Sequence, residues 1–194
     1  TPLVFSPRAP HPLYFGSQVL FRSIDDGNHW EIISPDLTGK GPGAKDCEHP
    51  DLVHARDCGF GVIWSIAPSP VNDGVIWVGT DDGLVHLTTD GGKHWHNVTP
   101  PTVPLWGRID AIDASPYSKH AAYVAVNTQR LGDSKPLILK TSDNGRSWII
   151  ITQGLPAGEY VNVVRADPVK NGLLYAGTSR SVYVSFDDGG QWQP

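Results

Sequence analysis

Residues 76–95 read IWVGTDDGLVHLTTDGGKHW, and residues 174–192 read LYAGTSRSVYVSFDDGGQW. Both follow one grammar: an apolar run ending in Gly-Thr, a turn, a second short run, then Ser/Thr-x-Asp-x-Gly-x-x-Trp. That terminal motif occurs four times: at Ser23, Asp25, Gly27 and Trp30; at Thr88, Asp90, Gly92 and Trp95; at Thr141, Asp143, Gly145 and Trp148; and at Ser185, Asp187, Gly189 and Trp192. Its chemistry is that of a hairpin turn. The carboxylate and the hydroxyl accept backbone N–H groups, glycine supplies a positive φ, and the tryptophan opens the return strand and covers the turn. An acid beside a hydroxyl also suggests catalysis, but a catalytic site has no reason to be copied into every repeat.

Moving outward, each motif is preceded by a similar strand: LYFG at 13–16, IWVGT at 76–80, AYVAV at 122–126 and LYAGT at 174–178. Before these comes an apolar strand that ends near Ser-Pro or Asp-Pro. Each unit reads strand, turn, strand, turn, strand, motif, strand. The motif aspartates are 65, 53 and 44 residues apart, and the shortest interval matches a four-stranded propeller blade of about 40–50 residues. The sequence therefore predicts an all-β fold, a β-propeller of four consecutive blades over about 1–34, 61–99, 107–152 and 159–194. Insertions fall at 35–60 and near 127–136. A β-sandwich has no reason to repeat such a motif, and a β-helix coil is shorter. Four blades at ordinary angles form an open arc, and the absence of Met together with a stop two residues after Trp192 predicts a segment of a longer protein.

Gly 21 and Pro 17 in 194 residues exceed average usage and leave little room for long helices. The net charge of −5 is dispersed, which gives no electrostatic support for nucleic-acid binding. No apolar run reaches the ~20 residues of a membrane span, and no cofactor motif is present.

These residues resemble the Asp-box, or BNR-repeat, propellers, a group that includes sialidases, sortilin-type receptors, xyloglucan-specific endoglucanases and a photosystem II assembly factor. The stretches at 77–88 and 174–188 are most similar to large secreted bacterial proteins described as sortilin-like or glycosyl hydrolase-like. The resemblance implies secretion and leaves the activity open, because fold does not imply function.

In a propeller the motif turns lie on one face, and both insertions lie on the other. The insertion face carries the candidate binding residues His54, Arg56, Trp106, Arg108, Gln129 and Arg130. Cys47 and Cys58, the two cysteines of the chain, are expected to form a disulfide, as suits an oxidising compartment. A metal site from Cys47, His49, His54 and Cys58 is the rival reading. His29, His86, His94 and His96 read as rim or packing residues. Asp81, in a Thr-Asp turn like one that carries a catalytic acid in xyloglucan-specific endoglucanases, is the candidate catalytic residue. Asp110 and Asp113 read as channel-lining residues on an inner strand. Arg108, Arg165 and Tyr160 lack the spacing of a sialidase site. The expected role is a non-catalytic binding or scaffold segment with a protein or glycan partner. Its end blades would meet further blades of the parent or a second copy. The alternative is a part of a glycoside hydrolase.

Overall fold

The computed structural model describes residues 2–39 and 58–194. It contains four antiparallel sheets in chain order. The first is β1 (Leu3–Phe5), β2 (Leu13–Gly16), β3 (Leu20–Ser23) and β4 (Glu31–Ile32). The second is β5 (Ile63–Pro68), β6 (Ile76–Thr80), β7 (Val85–Thr88) and β8 (His96–Asn97). The third is β9 (Arg108–Ala114), β10 (Ala122–Asn127), β11 (Ile138–Thr141) and β12 (Ile149–Ile150). The fourth is β13 (Val161–Ala166), β14 (Leu174–Thr178) and β15 (Val182–Ser185), with Gln193 bridging to Val184 where an outer strand begins. The one helix among the described residues is a 3-10 turn, Gln129–Leu131, inside the second insertion. Each sheet is a blade, and consecutive blades form an open arc, as the repeat predicts.

The hydrophobic cores lie between blades. Tyr14, Leu20 and Val4 of the first blade pack with Ile63, Ile66 and Val78 of the second. Trp77 and Leu87 pack with Ile109 and Val124, and Tyr123 and Ile138 pack with Val164 and Ala176. Close approach sets a size limit on the second strand. A Cβ on Gly79 would stand 2.3 Å from Ile109 Cγ2. The inner strands converge on an axis. Val4, Ile66, Ile112 and Ala166 line a cavity of about 360 Å³ at the motif end of that axis.

The four motif turns share one hydrogen-bond pattern. The hydroxyls of Ser23, Thr88, Thr141 and Ser185 donate to Asp25, Asp90, Asp143 and Asp187 at 2.9, 2.9, 2.9 and 2.7 Å. The same hydroxyls accept the N–H of Gly27, Gly92, Gly145 and Gly189 at 2.9–3.0 Å. Each aspartate accepts the backbone N–H four residues on, at 2.9–3.0 Å.

The tryptophans depart from the expectation that they cover their own turns. Trp95 Nε1 donates to Ile33 O at 2.8 Å, Trp148 Nε1 to Val98 O at 3.0 Å and Trp192 Nε1 to Ile151 O at 2.7 Å. Each acceptor lies in the preceding blade, three residues after that blade's own tryptophan. The motif glycine touches the same residue: a Cβ on Gly92, Gly145 or Gly189 would meet Ile33, Val98 or Ile151 at 2.5–2.7 Å. The motif is thus a latch between blades as well as a turn. Trp30 alone stays at home, donating to Gly27 O at 3.0 Å, and the residue is 41% exposed.

The latch carboxylates give the fold an acid limit. Hydrogen bonds from the His29 ring and backbone hold Asp25 at about 2. Those from the Ser147 hydroxyl and backbone do the same for Asp143, also at about 2. An unfolded aspartate titrates near ~3.9. Because the folded value is depressed, the stabilisation is complete above the unfolded value and is lost as pH falls through the folded one. Urea midpoints from these groups should be flat from neutrality to about pH 5 and decline between about pH 4 and pH 2. Asp143→Asn should lower the neutral plateau and shallow the decline. An equally steep acid decline in that variant would contradict this assignment.

Candidate functional site

At the insertion end of the axis, the first strands of three blades each carry a β-bulge. Registers shift between Ile63 and Ser65, between Val161 and Val163, and on β9 opposite Ala125 and Val126. The extra residues are Trp64, Asn162 and Asp110. A bulge re-aims the residue it leaves unpaired, and here three equivalent bulges place Trp64, Asp110 and Asn162 around one axis. Sequence reading placed Asp110 on an inner strand but missed this ring. No glycine or proline stands at the bulged positions themselves. The signals were the matched position of the three residues within their repeats and, across two of the bulges, Gly79 opposite Ser65 and Gly177 opposite Val163.

A polar relay joins the three blades. The Arg108 guanidinium lies 4.6 Å from the Trp64 ring centroid. Its Nε pairs with Asp110 Oδ1, and its Nη2 donates to Asp110 Oδ2 at 3.1 Å. Asn127 Nδ2 donates to Asp110 Oδ2 at 2.8 Å and to Asn162 Oδ1 at 3.5 Å. The Asp110 side chain is 6% exposed, whereas Trp64 is 39% exposed. The result is a fixed polar floor beside an open indole face. The Asp110 hydrogen bond raises the Arg108 guanidinium above its ordinary value.

Asp81 stands in the neighbouring turn. Its Oδ1 accepts Val62 N–H at 2.7 Å, and its Oδ2 is 3.8 Å from Arg130 Nη1. Burial raises its carboxyl above the usual range, opposed by the Val62 hydrogen bond and the Arg130 charge. Arg130 in turn lies 5.2 Å from the Trp106 ring centroid and donates from Nε to Trp106 O at 3.0 Å. Trp106, expected on the binding face, is 5% exposed with φ 63°. It therefore supports Arg130 from below and offers no free ring, a correction that follows from its packing under the second insertion. Gln129 and Arg130 lie on the 3-10 turn, and Gln129 N donates to Asn127 Oδ1 at 3.0 Å.

Among the described acids of this face, Asp81 is engaged with Val62 and Arg130, Asp110 with Arg108 and Asn127, Asp133 Oδ1 with Lys135 N–H at 3.0 Å, and Glu159 Oε2 with Thr178 Oγ1 at 2.6 Å. Asp113, grouped with Asp110 in the sequence, lies at the other end of β9. It lines the motif-side cavity, accepts Ala166 N–H at 2.7 Å and stands 3.7 Å from Arg165. His29 and His94 sit on the exposed motif turns, each against its own aspartate. His54, Arg56, His49 and Cys47 fall outside the described residues. Cys58 is disulfide-bonded. Among the described residues no group of three or more His, Cys, Asp or Glu is arranged to hold a metal ion. No described helix is long and apolar enough to cross a membrane.

No protein-family model and no curated protein matches the sequence. Solved structures do match in fold. An ancestral GH74 enzyme aligns with a TM-score of 0.72 at 20% identity, over 99% of this chain and 23% of its own. The GH74 xyloglucanase of Xanthomonas campestris aligns with a TM-score of 0.65 at 16% identity, over 99% of this chain and 29% of its own. YCF48 bound to D1 peptide aligns with a TM-score of 0.52 at 19% identity, over 68% and 40%. The chain therefore spans about a quarter of the length of the GH74 enzymes it resembles. At these identities the likeness establishes the propeller fold.

Removing Arg130 isolates its effect on Asp81. Arg130→Ala should move the Asp81 carboxyl titration upward, because a favourable positive charge is lost while burial remains. Carbon-detected NMR titration measures this directly. An unchanged or lower midpoint would show that the two groups do not interact.

Proposed function

We propose that this chain is a binding and scaffold portion of a secreted Asp-box propeller protein, and that its insertion face binds a glycan. One observation carries the reading: an open Trp64 face, backed by Arg108, sits beside a fixed row of carboxylate and amide groups. Sugars present apolar C–H faces and ring hydroxyls, and an aromatic plane with adjacent polar groups matches both. The polar groups are held by each other, so little ordering cost is left for binding. The disulfide at Cys58 fits export to an oxidising compartment. Further blades of the parent polypeptide would complete the arc.

A second reading, part of a glycoside hydrolase, draws support from the fold shared with GH74 enzymes. Glycosidases need two carboxyl groups flanking the bond, one as acid and one as base or nucleophile. Asp81, with its raised carboxyl, suits the acid role. Among the described residues Asp110 and Glu159 are tied into an ion pair and a hydrogen bond, so in this reading the second carboxyl comes from residues outside those described.

The test is calorimetric titration with xyloglucan and β-glucan oligosaccharides. Binding is expected, and Trp64→Ala should weaken it about tenfold, equivalent to ~1.4 kcal/mol. Absence of binding to any oligosaccharide, or equal affinity in the Trp64 variant, would contradict the glycan reading. Release of reducing ends by the chain itself, lost in Asp81→Asn, would favour the hydrolase.

A further inference from the structure

The three described interfaces between blades follow one rule, and the first blade is prepared for a fourth that the described residues do not supply. In each interface the later blade presents its motif indole and glycine to the residue three positions after the tryptophan of the earlier blade. The partners are Trp95 with Ile33, Trp148 with Val98 and Trp192 with Ile151. The first blade carries the same latch half. Gly27 has φ 87°, and among the described residues a Cβ there would meet only Trp30 and Leu13 of its own blade, at 3.7 and 3.9 Å. No described residue fills, at Gly27, the space that a branched apolar side chain fills beside Gly92, Gly145 and Gly189.

The sheet behind this half-latch is apolar on the same side. The pairings Leu3 with Phe15, Phe15 with Phe21 and Phe21 with Ile32 put these side chains on one face. Leu3 is 58%, Phe5 62% and Ile32 62% exposed. Phe15 lies 5.8 Å from Phe21 and 6.1 Å from Trp30, ring centroid to centroid, and the three line an open groove of about 410 Å³. The other face of the blade, with Tyr14 and Leu20, is the one packed against the second blade.

We propose that this open face is the seat of another blade of the same repeat, on the same polypeptide and preceding residue 1. This deepens the reading of the chain as part of a larger propeller. The occupant's chemistry is set by the other interfaces: a sheet whose residue three past its own motif tryptophan is Ile or Val. Its carbonyl accepts Trp30 Nε1, and its side chain fills the space at Gly27. Trp30 then exchanges its present bond to Gly27 O for the one that its three counterparts make.

The test supplies such a blade. A copy of residues 107–161, which carries the third blade and its connection into the next inner strand, is placed directly ahead of residue 1 of the full chain. In the 194-residue chain, Trp30→Phe and Phe5→Lys should leave the melting temperature nearly unchanged. In the extended protein each should lower it by roughly 2–4 °C or more. Equal effects in both proteins would overturn the proposal. So would sedimentation of the 194-residue chain as a stable dimer that Phe5→Lys dissociates, because the seat would then belong to a second copy. Neither readout involves an oligosaccharide, so failure of sugar binding and failure of this interface are separately visible.

Discussion

The hydrogen bond from an indole N–H to a backbone carbonyl of the preceding blade is the constraint around which this structure is organised. Trp95, Trp148 and Trp192 each make it, and each belongs to the core between its own blade and the one before. A single blade has no core of its own, so folding requires neighbours, as in other repeat proteins. A buried indole removes about 150–250 Å² from water, worth an upper bound of about 4–6 kcal/mol at ~25 cal/mol/Å². The hydrogen bond adds about 1 kcal/mol and, more to the point, fixes the angle and register at which the sheets meet. The rest of the motif serves this geometry. The hydroxyl and carboxylate hold the turn, and the glycine lies against the residue that the indole addresses.

This arrangement divides the molecule's two ends. At the motif end the side chains are committed to turns and latches. At the insertion end the inner strands are free to vary, and bulges at Trp64, Asp110 and Asn162 turn one residue from each of three blades toward a common axis. The rigid arc holds these residues in place, and the loops add Arg130 and the buried Trp106 beneath it. A ligand face built from equivalent positions of successive repeats changes its chemistry by substitution at those positions alone. In this chain they read Trp, Asp and Asn.

The fold was legible in the sequence because the motif is made of local chemistry. A carboxylate four residues from an N–H and a glycine at positive φ are short-range facts, so their repetition announced four hairpins and their spacing announced blades. The destination of Trp95, Trp148 and Trp192 was not legible, because an indole reaching the preceding sheet is a long-range contact with no mark in its own repeat. The site was partly legible. Asp81, Arg108 and Arg130 were placed on the correct face by topology. Trp64 and Asn162 were missed because a bulge depends on strand pairing, and Trp106 was misread because exposure in a loop depends on what the loop packs against. The apolar face of the first blade follows from the sequence of β1 to β4 once the pairing is known: Leu3, Phe15, Phe21 and Ile32 share one side.

The most direct measurement is hydrogen exchange at the seven tryptophan indole N–H groups of the chain, followed by NMR in the folded protein. If indole latches hold the blades together, the Nε1 protons of Trp95, Trp148 and Trp192 should exchange slowly, at rates near those of the buried strand amides. The Nε1 proton of Trp30, bonded only within an exposed turn, should exchange orders of magnitude faster. Comparable fast exchange at all four motif tryptophans would contradict the account, because the blades would then be held together by something other than the latch.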